Sequence, residues 1–373
     1  MRFLLTAFML FTTLAAVSQK KTDAERYCDL DSDPSLEALR TGYSIFIDQD
    51  MAWPAYNQDR DYTMGLGFRF YGRRFDSKRK PISWLTMKAM TGLNTLVGLQ
   101  KHFEKYGYES RTSFMLGNGS FTPDSLLAKN PVKGDRPYGS VLYFSHRKSY
   151  LPAGTKHIIS TQFTLGFLGT AVSKYFQKGV HYLYRNIAKT EEPYDPKGWD
   201  NQISKGGEIT VMYRVAYGKS FIDNRYLSIS ACTEGMAGYY TNVAFSGQVR
   251  TGKLVSRWFT LVSDPLSDGS QASDGREGFE IYAYGVPRVR FVAYNALLQG
   301  QFRHNDYELG WNDMRHVIGE LDCGIAMGNS FCRNNRKGIW SFGLNFSLRT
   351  PNYTGPYSRY HHWGGFYFTK SFL

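Results

Sequence analysis

"GIWSFGLNFSLR", residues Gly338 to Arg349, decides the fold. Trp340, Phe342, Leu344, Phe346 and Leu348 fall on one face, and Ser341, Gly343, Asn345 and Ser347 on the other. A period of two is that of an extended strand, whose successive side chains point to opposite faces. Large apolar residues on one side and small polar ones on the other suit a strand between lipid and a polar interior. "EITVMYRVAYG" repeats the pattern, with Ile209, Val211, Tyr213, Val215 and Tyr217 against Glu208, Thr210 and Arg214. "YTMGLGFRFYG" sets Leu66, Phe68 and Phe70 against Gly67, Arg69 and Tyr71.

About twelve such runs follow one another, beginning near Gly42, Tyr62, Arg111, Tyr138, His157, Glu208, Tyr226, Asn242, Glu280, Val317, Ile339 and Gly365. An even count is what a single-chain bacterial outer-membrane barrel has. Aromatics make up 16% of the chain and glycines number 37, yet mean hydropathy is negative. After the first residues, no stretch approaches the roughly twenty apolar residues that a membrane helix needs. A soluble β-sandwich also alternates, but it turns its apolar face to a core and carries fewer aromatics. The expected class is therefore all-β, a transmembrane antiparallel β-barrel of about twelve strands.

The first segment, "MRFLLTAFMLFTTLAAVSQ", has one positive charge at Arg2, an apolar run and then small residues. That is a secretory signal peptide, expected over 1–19, and it leaves 20–373 as one barrel domain of an exported chain. The formal charge of +13 falls by one without Arg2. In an exported protein, a basic balance suits phosphate-rich lipid surfaces rather than nucleic acid. Cys28, Cys232, Cys323 and Cys332 fit no metal-ligand spacing; Cys323 and Cys332 are placed to pair across a loop if one lies between them.

One segment breaks the alternation. Pro81 to Gly107 carries Leu85, Met90, Leu93, Leu96, Val97 and Phe103 at helical spacing. It lies between the second and third strands, on the periplasmic side. Two readings stay open, a packed cap without chemistry and docking on the membrane surface.

Polar clusters gather at the other end. "FIDQDMAW" closes the first strand with Asp48, Gln49 and Asp50, and "DRDYTMG" opens the second with Asp59, Asp61 and Thr63. "FTPDSLLAKNPVKGDRPYGSVLY" joins the third and fourth strands through Lys129, Asp135, Arg136 and Tyr138. "YFQKGVHYLYR" brings Gln177 and His181 after the fifth strand, and "GWDNQI" adds Trp199, Asp200 and Gln202. Counting strands from a periplasmic N-terminus puts all of these at the extracellular end. A lone histidine among aromatics is often a hydrogen-bonded packing residue. Acid, amide, hydroxyl, lysine and imidazole converging at one end is also what a hydrolytic site needs.

In this order, "DQD", "RDYTMGL", "FTPDS", "DRPYGSVLY", "LGFLGTAVSKYFQKGVHYL", "GWDNQI" and "ITVMYR" resemble the outer-membrane lipid A 3′-O-deacylase family, over roughly Tyr43 to Tyr217. The resemblance implies a twelve-stranded barrel in the bacterial outer membrane. It implies removal of the acyl-oxyacyl chain from the 3′ position of lipid A in the outer leaflet, with help from calcium. It places the family's catalytic histidine on His181 and its glutamine on Gln177. The family's asparagine–aspartate pair falls on Gln49 and Asp50, with glutamine in the asparagine's place, and its "YTxG" threonine falls on Thr63. Its lysine corresponds to Lys129, or to Lys133 four residues on, and a glutamate after the histidine to Glu191 or Glu192, of which Glu192 is taken as the metal ligand. Arg136 and Gln49 are candidates for contact with the substrate or the oxyanion.

The chemistry is coherent with that assignment. Ester hydrolysis needs a base near neutral pH, for which imidazole is suited, and positive charge where the carbonyl oxygen becomes an oxyanion. Calcium takes hard oxygen ligands of the kind Asp50 and Gln49 offer. If the stretch around His181 is helical, an i, i+4 spacing puts Gln177 on its face. The expected partners are lipopolysaccharide and the membrane, with a monomeric barrel. The rival classes are a phospholipase-type esterase with a serine nucleophile and a non-enzymatic channel or receptor. Twelve strands leave a lumen that inward side chains largely fill, which disfavours a pore.

Overall fold

The computed structural model describes residues 41–50, 60–72, 81–106, 109–151, 156–188, 196–261, 278–333 and 336–372. The signal segment over 1–19, and with it Cys28, Asp59, Glu191 and Glu192, lies outside the described residues. Twelve strands run β1 (Thr41–Gln49), β2 (Asp61–Tyr71), β3 (Glu109–Thr122), β4 (Gly139–Leu151), β5 (His157–Leu168), β6 (Glu208–Asp223), β7 (Leu227–Gly238), β8 (Tyr240–Lys253), β9 (Gly278–Asn295), β10 (Val317–Arg333), β11 (Arg336–Arg349) and β12 (His361–Phe372). Each pairs antiparallel with its sequence neighbour, and β12 closes on β1 from Thr41 opposite Phe372 to Gln49 opposite Gly364. Closure leaves no edge with unpaired backbone groups, the condition for crossing a bilayer with strands. Among the described residues no helix is long and apolar enough to cross.

The faces follow the alternation. On β6, Ile209 is 63% exposed and Val211 46%, while Thr210, Met212 and Arg214 between them are buried. Inside, charges meet in pairs. Glu234 accepts from Arg214 at 2.8 Å and from Arg290 at 3.1 Å; Glu320 accepts from Arg288 at 2.8 Å and lies 3.0 Å from Arg349. Lumen-facing tyrosines lie flat across glycines of the next strand. A Cβ at Gly343 would sit 2.3 Å from the Tyr367 ring, and one at Gly117 2.5 Å from Tyr143. The interior is packed by aromatic rings and ion pairs, as a narrow barrel requires.

The segment after β2 forms α1 (Pro81–Leu96) and α2 (Leu99–Tyr106) at the periplasmic end. This pair leans on the outside of the wall. Asn94 accepts from the Tyr213 hydroxyl at 2.7 Å and lies 3.4 Å from Thr161 Oγ1, while Thr86 Oγ1 lies 3.1 Å from His146 Nδ1. Tyr213 is an outward residue, opposite in parity to the lumen-facing Arg214. Phe103 of α2 stacks on Tyr150 at 3.6 Å.

Two expectations are corrected. Cys323 is a free thiol. It and Cys332 lie on the same strand, β10, with no loop between them. Nine residues of extended chain span about 30 Å, far beyond disulfide reach. Asp48 and Asp61, grouped above with Gln49 and Thr63, turn instead to the inside. Parity puts Asp48 on the lumen face opposite Gln49, and Asp61 pairs with Arg359 through two bonds of 2.7 and 2.9 Å.

Candidate active site

The third helix, α3 (Val172–Ala188), follows β5 through Gly169. That glycine has φ 66°, and a Cβ there would lie 2.1 Å from the Ser204 carbonyl oxygen, so only glycine makes this turn comfortably. Ser173, Gln177 and His181 succeed one another at i, i+4 and i+8, hence on one side of the helix. All three are buried, at 0%, 2% and 8% exposure, whereas Tyr175 and Tyr182 are 71% and 62% exposed. The first of them, Ser173, sits on the outer face of β3. Ser120 Oγ donates to Ser173 Oγ at 2.7 Å, and Asn118 Nδ2 donates to it at 3.1 Å. Leu116, two residues along the same face, is 51% exposed to the lipid side.

Gln177 is held in turn. Its Oε1 accepts from Trp199 Nε1 at 2.7 Å. Trp199 belongs to a 3-10 turn, Gly198–Asn201, and packs with Tyr138 and Leu126. Gly198 is required there, because a Cβ would sit 2.2 Å from the Tyr138 ring. The Lys174 ammonium donates to Asp200 at 3.0 Å and holds that carboxyl below its usual range. Asn201 donates to the Lys129 carbonyl oxygen. The helix, the turn and the loop 123–138 thus form one packed unit on the extracellular rim.

On the strand side, Thr63 and Thr122 share a hydroxyl–hydroxyl hydrogen bond of 2.6 Å, both buried. Thr122 is the outer-face neighbour of Ser120, so Thr63 and the α3 stripe meet the same edge of β3. Gln49 ends β1 with outward parity, beside β2. Asp50 follows it, 2% exposed, and accepts from the Arg60 N–H at 2.5 Å; the Arg60 guanidinium pairs with Asp124 in the 123–138 loop.

The predicted residues therefore fall into three groups. Thr63 and the Ser173–Gln177 part of α3 meet the outer side of the extracellular rim, Gln49 ends β1 there with outward parity, Asp50 follows it, and His181 is buried one turn beyond Gln177 on the same side of α3. Lys129 and Lys133 are exposed on the adjoining loop. Arg136 is buried beneath it, its guanidinium 4.5 Å from the Phe121 ring centre, with Nε and Nη1 lacking hydrogen-bond partners. Burial lowers its pKa to about 10, against the pull of Asp61 and Asp135. Asp135, fully buried, accepts from the Tyr353 hydroxyl at 2.6 Å and from Arg359 at 3.3 Å, tying the loop to the segment before β12.

Sequence reasoning missed Ser173, Asn118, Ser120 and Thr122. The signal was present in the outward positions of β3, where polar residues interrupt a lipid-facing run and so need a covering partner. For a metal, Asp50 and Gln49 supply hard oxygens of the kind calcium takes. Among the described residues no cluster of three or more His, Cys, Asp or Glu forms. The pair fits calcium in kind.

The family model described as "Outer membrane protein LpxR" matches residues 4–372. The chain belongs to the LpxR family. A solved structure, LpxR from Salmonella typhimurium, matches with a TM-score of 0.62 at 17% identity, covering 88% of this chain and 99% of that one. It supports the same twelve-stranded barrel. The toluene transporter TodX of P. putida, with a TM-score of 0.27 at 7% identity over 92% of each chain, shares no more than strand-rich character. BamA of Haemophilus ducreyi, at 0.30 and 7% over 89% of this chain and 70% of that one, is equally remote. No curated protein sequence matches. As an LpxR-family barrel the protein is an outer-membrane protein, in contact with the membrane in which lipopolysaccharide resides.

Proposed function

We propose that this chain is a carboxylic ester hydrolase that removes the 3′-linked acyl-oxyacyl chain of lipid A. The observation that carries the reading is the buried Ser173–Gln177–His181 side of α3, whose Ser173 is bonded to Ser120 on the outer wall near the extracellular rim. An outer-leaflet lipid lies against this side of the barrel, so its ester can meet the imidazole without leaving the membrane. Exposed Tyr175, Phe176 and Tyr182 give α3 an apolar outer face to lie among acyl chains. Membership of the LpxR family supports the same substrate class.

In this mechanism His181 takes a proton from water as its oxygen bonds to the ester carbonyl carbon. The tetrahedral oxyanion then collapses, the bond to the sugar 3′ oxygen breaks, and the imidazolium returns its proton to that oxygen. The products are the free acyl-oxyacyl acid and a 3′-hydroxyl lipid A. Gln177, fixed by Trp199, orients the imidazole. Thr63 and Gln49 hold the substrate ester at the strand edge. Lys129 meets a lipid A phosphate, and Arg136 braces the loop that carries it. A bound calcium, held by Asp50 with Gln49 and with Glu192 from outside the described residues, would supply positive charge for the oxyanion.

The test is mass spectrometry of lipid A before and after incubation with the purified protein. Loss of one 3′ acyl-oxyacyl mass, absent with His181→Ala, is the expected result. Release of a phospholipid fatty acid with lipid A unchanged would point to the phospholipase class instead.

A further inference from the structure

We infer that the α1–α2 hairpin is a lipid-docking element, seated in the periplasmic leaflet with phospholipids against its outer side. The inference rests on placement and is independent of the hydrolase reading. The hairpin covers the outer wall where strand residues would otherwise face lipid. His146 and Thr161 are 0% exposed and Ile159 8%, although all three have outward parity. Each polar one has a helix partner, Thr86 for His146 and Asn94 for Thr161. Buried hydrogen bonds of this kind are what polar groups need at hydrocarbon depth.

The other side of the hairpin faces away from the barrel and carries Trp84 at 42%, Leu85 at 56%, Leu96 at 81% and Val97 at 51% exposure. These continue the barrel's lipid-facing belt on both flanks. Tyr217 and Phe221 of β6 are 45% and 56% exposed, and Phe68 and Phe70 of β2 are 38% and 47% exposed. A protein partner on this face would have to displace the lipid that already wets the belt beside it. Lys88 lies 4.1 Å over the Trp84 ring. An aromatic ring with a cation over it is a pairing suited to the boundary between acyl chains and headgroups, where the ammonium reaches water while its stem stays apolar. Together, an amphipathic pair with one face spent on the wall and the other apolar is what an interfacial element requires.

The test places an environment-sensitive fluorophore on Leu96→Cys, and separately on Leu85→Cys, in the full chain with Cys28, Cys232, Cys323 and Cys332 changed to serine. Lys205→Cys, on an exposed extracellular turn, is the control. Folded protein is reconstituted in nanodiscs of phosphatidylethanolamine and phosphatidylglycerol. At 96 and 85 the emission should be blue-shifted and quenched more by nitroxides on lipid tails than by aqueous iodide, the reverse of 205. Iodide-dominated quenching at either position overturns the inference. So does self-quenching that appears only when two copies share a disc, which would make the occupant a second barrel.

Discussion

Two helical elements lean on the same barrel from outside, one at each rim, and each covers a buried histidine. Beneath the hairpin, His146 touches Thr86 and lies 4.4 Å from the Phe114 ring, sealed at 0% exposure. On α3, His181 belongs to the helix itself, in a stripe with an amide held by an indole, whose Ser173 bonds Ser120 next to a threonine pair. Both contacts use polar groups because both lie over outward strand positions that are not apolar. The difference is what converges on them. Among the described residues, it is the extracellular rim that gathers loops with acids, lysines and hydroxyls. On the proposed reading, the imidazole beside charged loops would do chemistry, while the one sealed by the hairpin packs.

The largest expected effect tests that contrast directly. His181→Ala should lower lipid A deacylation by about a hundred- to ten-thousand-fold, the usual worth of general-base assistance, while the folded band remains heat-modifiable. Gln177→Ala should cost less, since it removes an orienting group and leaves the base. A near-normal rate in His181→Ala would make the two histidines alike and break the comparison. Next, a strong chelator should abolish turnover and added calcium restore it; activity that survives chelation removes the metal from the rim.

His146→Ala should do the opposite of His181→Ala. Turnover stays near that of the parent, while unfolding shifts by about 1–3 kcal/mol because the buried hydrogen bond to Thr86 and the ring's packing on Phe114 are lost. Thermal unfolding in detergent reads it, and a loss of turnover without loss of stability would give His146 a role in the chemistry. The smallest effect is expected from Lys174→Ala, which removes an exposed bridge to Asp200 worth about 0–1 kcal/mol. Because Lys174 holds the Asp200 carboxyl below its usual range, the bridge contributes at neutral pH and is lost as pH falls through that lowered value. A stability difference between parent and variant that persists at pH 2 would remove Asp200's charge as the cause.

Most of the fold was legible because a barrel strand writes itself in period two. All twelve runs found by alternation are strands, and the helical break at 81–107 is α1–α2. The same rule, carried to the strand ends, separates Asp48 from Gln49, neighbours in sequence that face opposite sides of the wall. What alternation hides is the covering of the outer face. His146 and Thr161 on the lipid side look like errors in the pattern until a helix from another part of the chain is laid on them. The candidate site's residue types were readable in the sequence, but the scaffold that positions them was not. Ser173 and Asn118 are 55 residues apart, and no local pattern announces that contact. Arg136 was placed at the rim by sequence order, and burial on Phe121 puts it below.

The filled lumen has a bearing on supply and exit. Glu234 and Glu320 are locked between arginines and tyrosines lie across the glycines, so among the described residues side chains fill the lumen they line. For the proposed hydrolysis at the extracellular rim, such a lumen would make the medium outside the cell the source of water. The apolar acid that the proposed reaction would release beside α3 would have the surrounding leaflet as its nearest solvent and would part sideways from the wall rather than travel through the interior.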